Sequence, residues 1–154
     1  MGRDKALVEV DGEAMAVRVA NALRAAGARK VVCIGGASGD VPDAFPGEGP
    51  LGGIITALRW AGDVVVVTAP CDMPWIAAEQ ATELLGQLVG DVAYARGAHL
   101  FAAWNPSCLP LLEATFRAGE RAVKRALTQL DAVMVDLPAG RWSLDVDAPG
   151  DVMP

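Results

Sequence analysis

Asp63-Val64-Val65-Val66-Val67-Thr68-Ala69-Pro70-Cys71-Asp72-Met73-Pro74 is the stretch of sequence that decides the fold. Its run of valines predicts a strand that is buried on both faces, as strands of parallel sheets are. The strand predicted at 63–68 ends in a proline-rich turn, so Asp72 lies just beyond its carboxyl end. In open α/β sheets ligands bind in the crevice at that end of the strands. Asp72 is therefore a candidate site residue, although an aspartate before Trp75 also suits a helix N-cap.

The rest of the chain alternates between strand and helix patterns and becomes mixed towards its end. We predict helices at 14–26, 51–61, 77–88, 109–118 and 122–130, and strands at 30–34, 63–68, 92–95, 100–104, 133–137 and 142–146. This order predicts an α/β sheet that is mostly parallel with an antiparallel edge. No linker or internal repeat interrupts the sequence, so we expect a single domain over residues 1–154.

Composition restricts the classes of function. The 154 residues carry a formal net charge of −6 without a polybasic run, which argues against nucleic acid and anionic membrane surfaces as partners. No apolar stretch approaches the ~20 residues that span a bilayer. Three widely spaced cysteines and a single histidine favour reduced thiols in a cytoplasmic protein over disulfides or a zinc site. A metal in this chain should be a hard cation held by carboxylates, which favours Mg²⁺.

Two further segments contain candidate ligand contacts. Residues 46–54, P-G-E-G-P-L-G-G-I, form a glycine-rich loop before a helix, where backbone N–H groups can approach a ligand closely. Near the C-terminus, Asp145 and Asp147 are two residues apart on an extended segment and so face the same side. Together with Asp72 they predict a magnesium site. The alternatives are an ordinary surface loop for the first segment and a solvated acidic turn for the second.

The order of these motifs resembles the molybdenum cofactor guanylyltransferase (MobA-like) family of nucleotidyltransferases. Residues 1–7, M-G-R-D-K-A-L, resemble the second half of its signature L-x-G-G-x-S-x-R-M-G-x-D-K-A-L. Residues 49–54, G-P-L-G-G-I, resemble its G-P-L-A-G-I segment, and 145–151, D-V-D-A-P-G-D, resemble its D-x-D-T-P-E-D segment. Weaker matches are H-L-F-A-A-W at 99–104 and A-G-E-R-A-V at 118–123. The matches run in family order along nearly the whole chain.

The resemblance implies a Rossmann-like sheet and transfer of GMP from GTP to molybdopterin or the molybdenum cofactor, with Mg²⁺ and release of pyrophosphate. Molybdoenzymes or cofactor-insertion proteins would be further partners. By the same resemblance Lys5 and Asp72 would be catalytic and contact the nucleotide, Asp43 would be a further contact, and Asp72 would hold the metal with Asp145 and Asp147. The remaining nucleotide contacts would come from the glycine-rich loop: Gly49, Pro50, Leu51 and Gly52. Such a transfer needs alignment and charge neutralisation rather than a protein nucleophile.

Other interpretations stay open. The paired aspartates also occur in relatives that use CTP, so a CTP-using molybdopterin or sugar-phosphate nucleotidyltransferase is the second interpretation. The third is a catalytically silent nucleotide-binding or assembly paralogue. The first half of the family signature, a strand and the loop over the triphosphate, has no counterpart before Met1. We therefore expect a sheet that lacks its first strand, and strongly reduced turnover, whether the natural start lies upstream or the chain is a truncated paralogue.

Overall fold

The computed structural model describes residues 4–37 and 39–147. Residues 1–3 of the predicted signature and 148–151 of the predicted acidic motif lie outside the described residues. The helices are α1 (Met15–Ala25), α2 (Pro50–Ala61), α3 (Ala78–Gly86), α4 (Leu109–Arg117) and α5 (Val123–Leu127). The strands are β1 (Glu9–Val10), β2 (Glu13–Ala14), β3 (Val66–Thr68), β4 (Val92–Ala95), β5 (Ala98–Trp104) and β6 (Ala132–Val135).

The central sheet has the strand order β3-β5-β4-β6. β5 is antiparallel to both β3 and β4, and β6 is parallel to β4, so β3, β4 and β6 all run in one direction. The predicted mixed α/β sheet is confirmed, but its antiparallel strand lies between β3 and β4 rather than at an edge. The reason is the short connection at Gly97, whose φ is +79°. A turn of this length makes a hairpin and cannot supply the crossover that a parallel neighbour requires.

Helices cover both faces of this sheet. The apolar faces of α2, α4 and α5 pack on one side, around the fully buried Trp104. The apolar faces of α1 and α3 pack on the other side, around Phe101. Successive side chains of a strand point to opposite faces, which is why β5 supplies large residues to both clusters. The result is a sandwich of three layers, helix on sheet on helix.

A polar contact fixes β3 against β5. The Thr68 hydroxyl donates to the Leu100 carbonyl over 2.8 Å, and the Trp104 indole N–H donates to that same hydroxyl over 2.9 Å. Because buried polar groups are costly when unpaired, this arrangement favours one register of the two strands. The register matters for the site because the chain runs from Thr68 directly into the turn that contains Asp72.

Two predicted strands are wrong. Residues 30–34 form no strand and make only one parallel bridge, Ile34 with Val41. The valine-rich sequence of this segment is suited to a buried strand, but a strand forms only when a neighbouring strand pairs with it. Residues 142–146 also form no strand, because Arg141–Ser143 make a 3₁₀ turn. The buried Trp142 holds that turn by donating its indole N–H to the Pro138 carbonyl over 2.7 Å.

In the described part of the chain, no helix has both the length and the apolar character needed to cross a bilayer.

Candidate functional site

Two segments that are distant in sequence meet beyond the carboxyl end of β3. The backbone N–H of Val146 donates to the Asp72 carbonyl over 2.9 Å, which ties the C-terminal segment to the turn after β3. Val146 is buried against Val10 and Met15, whereas Asp145 on its N-terminal side is exposed. The alternation follows from the extended backbone, which turns every second side chain to the same side. The structure thus brings the predicted acidic pair next to Asp72.

Asp72, Asp145 and Asp147 together are called the acidic group. Lys5, on a third segment of the chain, lies beside it. It lies in the 3₁₀ turn Lys5–Leu7, which Asp4 caps by accepting a hydrogen bond from the Ala6 N–H. The Lys5 ammonium donates to Asp147 Oδ1 over 2.6 Å. This hydrogen bond, together with the charge of Asp147, raises the pKa of Lys5, and the charges of Asp72 and Asp145 raise it further. All three predicted carboxylates therefore act on one ammonium group.

The oxygen donors of this site have the chemistry that a hard divalent cation prefers. Within residues 4–37 and 39–147, however, no three His, Cys, Asp or Glu side chains stand close enough together to hold a metal ion by themselves. Mg²⁺ is commonly bound by one or two carboxylates together with substrate phosphates, rather than by a cage made only of protein ligands. The acidic group therefore fits Mg²⁺ in its donor type, with phosphate oxygens completing the ligand set.

Asp4 and Cys71 border the same site, and sequence reasoning missed both. A Cβ at Gly36 would lie 3.4 Å from Asp4 Oδ2, so this carboxylate sits against the Gly35-Gly36 turn. Burial raises the pKa of the Cys71 thiol to about 12, with further contributions from the neighbouring thiol of Cys33 and from nearby carboxylates. Two features of the sequence could have indicated that these residues border the site: Asp4 is next to Lys5 in the R-D-K motif, and Cys71 is next to Asp72.

The glycine-rich loop owes its form to backbone geometry and core packing. Gly49 has φ +87°, a conformation that favours glycine, and Pro50 follows as the first residue of α2. Leu51 is fully buried in the core. A Cβ at Gly52 would lie only 2.9 Å from Phe45 Cβ, so a larger residue at that position would push the loop away from the helix. Contacts from Leu51 and Gly52 to a ligand must therefore come from the backbone.

Arg121 holds this loop from outside. Its guanidinium pairs with Glu48 of the loop, donates to the Phe116 carbonyl over 2.7 Å and lies 3.8 Å from the centre of the Phe116 ring. The A-G-E-R run thus anchors the glycine-rich loop, a role that its sequence did not reveal. Since Arg121 and Glu48 are both partly exposed, the packing against Phe116 contributes alongside the ion pair.

Asp43 orders the chain just before the loop. Its Oδ1 accepts from the Phe45 N–H over 2.9 Å and lies 3.2 Å from the hydroxyl of Thr56. The Thr56 hydroxyl in turn accepts from the Ala44 N–H over 3.1 Å. Asp43 therefore has a structural role in shaping the entry to the loop, and its contact with a nucleotide stays a prediction. The Gly35-Gly36 turn connects the two groups, because Gly35 lies against Asp43 and Gly36 against Asp4.

Replacing Asp43 by alanine tests this structural role. Asp43→Ala removes an acceptor for the Phe45 N–H, so we expect a loss of about 1 kcal/mol in the free energy of unfolding. The melting temperature without nucleotide should fall by about 2–4 °C. Asp43→Asn keeps an oxygen acceptor and should stay close to the parent protein. An unchanged melting temperature for Asp43→Ala would mean that the loop does not depend on these hydrogen bonds.

The site thus consists of an acidic group with Lys5 and a glycine-rich loop that begins α2. Pro50 and Gly53 on the loop side and Cys71 on the Asp72 side line one open cleft. Among the predicted site residues, all of which the structure describes, Pro50 alone lines this cleft. Lys5 pairs directly with Asp147 and is influenced by the charges of Asp72 and Asp145, whereas Asp43 lies against Gly35 of the Gly35-Gly36 turn.

The amino-acid sequence is similar to those of two known proteins. A probable molybdenum cofactor guanylyltransferase of Pelotomaculum thermopropionicum is 40% identical over 131 residues, covering 77% of this chain and 63% of that protein. The molybdenum cofactor guanylyltransferase of Xanthomonas euvesicatoria pv. vesicatoria is 33% identical over 135 residues, covering 86% of this chain and 65% of that protein. The chain therefore spans somewhat less than two thirds of the length of these two relatives.

A comparison of folds and a match to a family model give further evidence of similarity. The crystal structure of 2-C-methyl-D-erythritol 4-phosphate cytidylyltransferase from Thermus thermophilus superposes with a TM-score of 0.76 at 12% identity, covering 96% of this chain and 90% of that one. At this identity the likeness concerns the fold alone. The model of the MobA-like NTP transferase domain matches residues 1–133. The chain therefore belongs to the MobA-like NTP transferase family.

Proposed function

We propose that this protein transfers GMP from GTP to molybdopterin or the molybdenum cofactor with release of pyrophosphate, in a Mg²⁺-dependent reaction. The observation that carries the proposal is the meeting of Lys5 with Asp72, Asp145 and Asp147 beyond the carboxyl end of β3. One cation among three carboxylates at this edge suits a polyphosphate with its metal ion, since the edge is where open α/β sheets bind ligands. The names of two similar proteins, both molybdenum cofactor guanylyltransferases, support the choice of GTP and the pterin.

The acidic group has a defined role in the proposal. Asp72, Asp145 and Asp147 would supply the carboxylate oxygens for Mg²⁺, one or two of them at a time, with phosphate oxygens of the nucleotide as the remaining ligands. When bound there, Mg²⁺ neutralises charge on the phosphate oxygens of the nucleotide. Because the carboxylates repel a bare polyphosphate, their charge also makes nucleotide binding depend on the divalent cation. This dependence is a consequence that can be measured directly.

Lys5 exchanges partners in the proposed mechanism. Without nucleotide its ammonium binds Asp147. With nucleotide it moves onto the phosphates as a compact point charge. The terminal phosphate of molybdopterin then attacks the α-phosphorus of GTP, the bond from that phosphorus to the bridging oxygen breaks, and pyrophosphate leaves with the bonding electrons. Lys5 stabilises the negative charge that develops on the leaving oxygens.

The glycine-rich loop is the proposed site of the guanine base. Its backbone at Gly49 and Gly52 offers hydrogen-bonding groups without side chains in the way, and Pro50 and Leu51 fix the start of α2 beside them. Asp43 supports this loop and is proposed as a further nucleotide contact. We also propose that residues 1–154 form a single domain, that its location is cytoplasmic, as its free thiols suggest, and that molybdoenzymes or cofactor-insertion proteins receive its product.

Nucleotide-dependent thermal stability tests the proposal. At a GTP concentration of about 100 times the Kd, binding to the native state stabilises it by ~2.7 kcal/mol. For a chain of this size that raises the melting temperature by roughly 5–10 °C. The shift should require Mg²⁺ and should be much smaller with CTP, because the edge of cytosine presents a different set of donors and acceptors.

The other interpretations predict different results. A shift with CTP alone would favour a cytidylyltransferase, as the aspartate pair at 145 and 147 suggests. Binding of GTP without pyrophosphate release in the presence of molybdopterin would favour the catalytically silent paralogue. No shift with any nucleoside triphosphate and Mg²⁺ would overturn the proposed function.

A further inference from the structure

A second cavity, separate from the cleft that Pro50 lines, opens where β4, β5 and β6 meet α5. Its volume is about 310 Å³. This is at the lower end of the volumes usual for small-molecule sites, so the cavity has room for one ring system rather than a complete nucleotide. We call it the His99 pocket, and its lining residues are Tyr94, Gly97, His99, Lys124, Leu127 and Met134.

The His99 pocket lies level with the end of β3. Thr68, the last residue of β3, and Tyr94 of β4 both pair with Ala102 of β5, from opposite sides. Tyr94 also pairs with Met134 of β6. Because neighbouring strands lie about 4.8 Å apart, Tyr94 stands roughly 10 Å from Thr68 across β5. The pocket and the acidic group are therefore at the same edge of the sheet, with β5 between them.

An irregularity in the hairpin of β4 and β5 occurs at this pocket. Tyr94 pairs with Ala102, but the next residue, Ala95, pairs with Ala98. The three residues of β5 between those partners have no counterpart on β4, and His99 is the first of them. Such bulges redirect side chains and are frequent next to functional sites. The regular ladder is thus interrupted at the residue whose imidazole lines the pocket.

The polar groups of the pocket are available to a ligand. Among the described residues, the Tyr94 hydroxyl, the His99 imidazole and the Lys124 ammonium form no side-chain hydrogen bond or salt bridge with another residue. None of the described lining residues is an aspartate or glutamate. Burial, and to a smaller extent the charge of Lys124, lowers the pKa of His99, so its ring is mostly neutral at pH 7. A neutral imidazole donates from one nitrogen and accepts at the other.

These groups favour a planar heterocycle with a polar edge. A ring carbonyl oxygen can accept from Lys124 while an adjacent ring N–H donates to His99. The apolar side chains of Leu127 and Met134 complete the lining and suit the flat faces of a ring. A small inorganic anion would engage Lys124 and leave the apolar surface uncovered. A purely apolar ligand would leave three polar groups without partners, which is costly.

We propose that the His99 pocket binds the pterin ring of the acceptor, while the terminal phosphate of the acceptor lies at the acidic group beyond β3. This inference rests on the proposed function, in which molybdopterin or the molybdenum cofactor is the acceptor. A molecule with a ring system at one end and a phosphate at the other can span the roughly 10 Å between Tyr94 and Thr68. Holding both ends aligns the attacking phosphate with the α-phosphorus of GTP and so lowers the entropic cost of the transfer.

Binding of 6-hydroxymethylpterin tests the pocket without GTP or Mg²⁺. This probe is fluorescent, and we expect a saturable change in its emission and anisotropy on titration with the parent chain. Lys124→Glu should weaken the binding at least 10-fold, because it replaces a charged donor by a carboxylate that repels the ring carbonyl. Arg117→Glu is the matched control, since it reverses the same charge at an exposed position of α4 outside the pocket. Its affinity for the probe should stay within about twofold of the parent.

His99 variants separate acceptor binding from nucleotide binding. His99→Leu should raise the KM for molybdopterin roughly 3- to 10-fold, the scale of one lost hydrogen bond, and should weaken 6-hydroxymethylpterin binding equally. The GTP-induced thermal shift with Mg²⁺ should stay at the parent value, because the nucleotide does not reach the pocket. His99→Gln keeps one donor and one acceptor and should recover most of the binding. If His99→Leu lowered the melting temperature without ligand, Lys124→Glu would still test the pocket, because Lys124 is exposed.

Three results would overturn this assignment. The first is no saturable binding of 6-hydroxymethylpterin by the parent chain. The second is equal weakening by Lys124→Glu and Arg117→Glu, which would indicate overall charge rather than a contact. The third is loss of the GTP-induced shift in Lys124→Glu, which would assign the pocket to the nucleotide base. A parent chain that binds the pterin through His99 but shows no shift with any nucleotide would keep the pocket and refute the proposed function, so the two can fail independently.

Discussion

Asp72→Asn is expected to lower Mg²⁺-dependent GMP transfer by roughly 10²- to 10³-fold, the scale of losing one electrostatic group that acts in the transition state. The amide keeps the size of the side chain and the backbone contact with Val146, because that contact uses the Asp72 carbonyl. It removes the negative charge that would hold the divalent cation. Pyrophosphate release from GTP and molybdopterin, measured over a range of Mg²⁺ concentrations, checks the prediction. The Mg²⁺-dependent part of the GTP-induced thermal shift should disappear in parallel.

Asp63→Asn is the matched control for this change. Asp63 precedes the same strand at its other end and is exposed, and its replacement removes the same unit of charge from the protein. Its transfer rate and its Mg²⁺ dependence should stay within about twofold of the parent, as for most surface substitutions. If Asp72→Asn retained full rate and unchanged Mg²⁺ dependence, the cation would have to bind elsewhere, and the proposed role of Asp72 would be wrong.

Lys5→Met is expected to weaken GTP binding and transfer by about 10- to 100-fold, since one close charge contact with phosphate is lost. The effect on folding should be small. The ion pair of Lys5 with Asp147 joins side chains that are 51% and 70% exposed, and exposed pairs contribute little to stability. The melting temperature without nucleotide should therefore stay near the parent value while the GTP-induced shift falls. Fluorimetry with and without GTP measures both quantities in one experiment.

Lys124→Met provides the comparison for Lys5. Lys124 is an exposed lysine on α5, and replacing it changes the net charge by the same amount. It should leave the GTP-induced shift unaltered. Equal losses in the two variants would point to the overall charge of the protein rather than to a specific contact. A lower melting temperature for Lys5→Met without nucleotide would instead assign Lys5 a structural role.

Local sequence patterns were sufficient to predict several features of the site. The valine run before Ala69 predicted a strand that ends just before Asp72, and β3 ends at Thr68. Alternation along an extended segment predicted that Asp145 and Asp147 share a side, and Val146 between them is buried. Pro50 marked the start of α2 to within one residue. These features depend on backbone preferences and on which side chains avoid water, both of which neighbouring residues specify.

Other features depended on partners that are distant along the chain. The segment 30–34 has the composition of a strand, yet pairing decides strand formation, and only Val41 bridges to Ile34. The hydrogen bonds of Asp43 and the clash that a side chain at Gly52 would make with Phe45 also require the folded loop. No spacing rule predicted that Arg121 would hold Glu48, 73 residues earlier.

The sequence by itself determined the α/β class, the position of Asp72 after a valine-rich strand and the alternation that exposes the C-terminal aspartates. Only the tertiary structure decided that Lys5 pairs with Asp147 and that β5 lies inside the sheet. The physical reason is the range of the interactions. Torsional preference and burial pattern act over a few residues, whereas ion pairs, strand pairing and cavities exist only after distant segments have packed together.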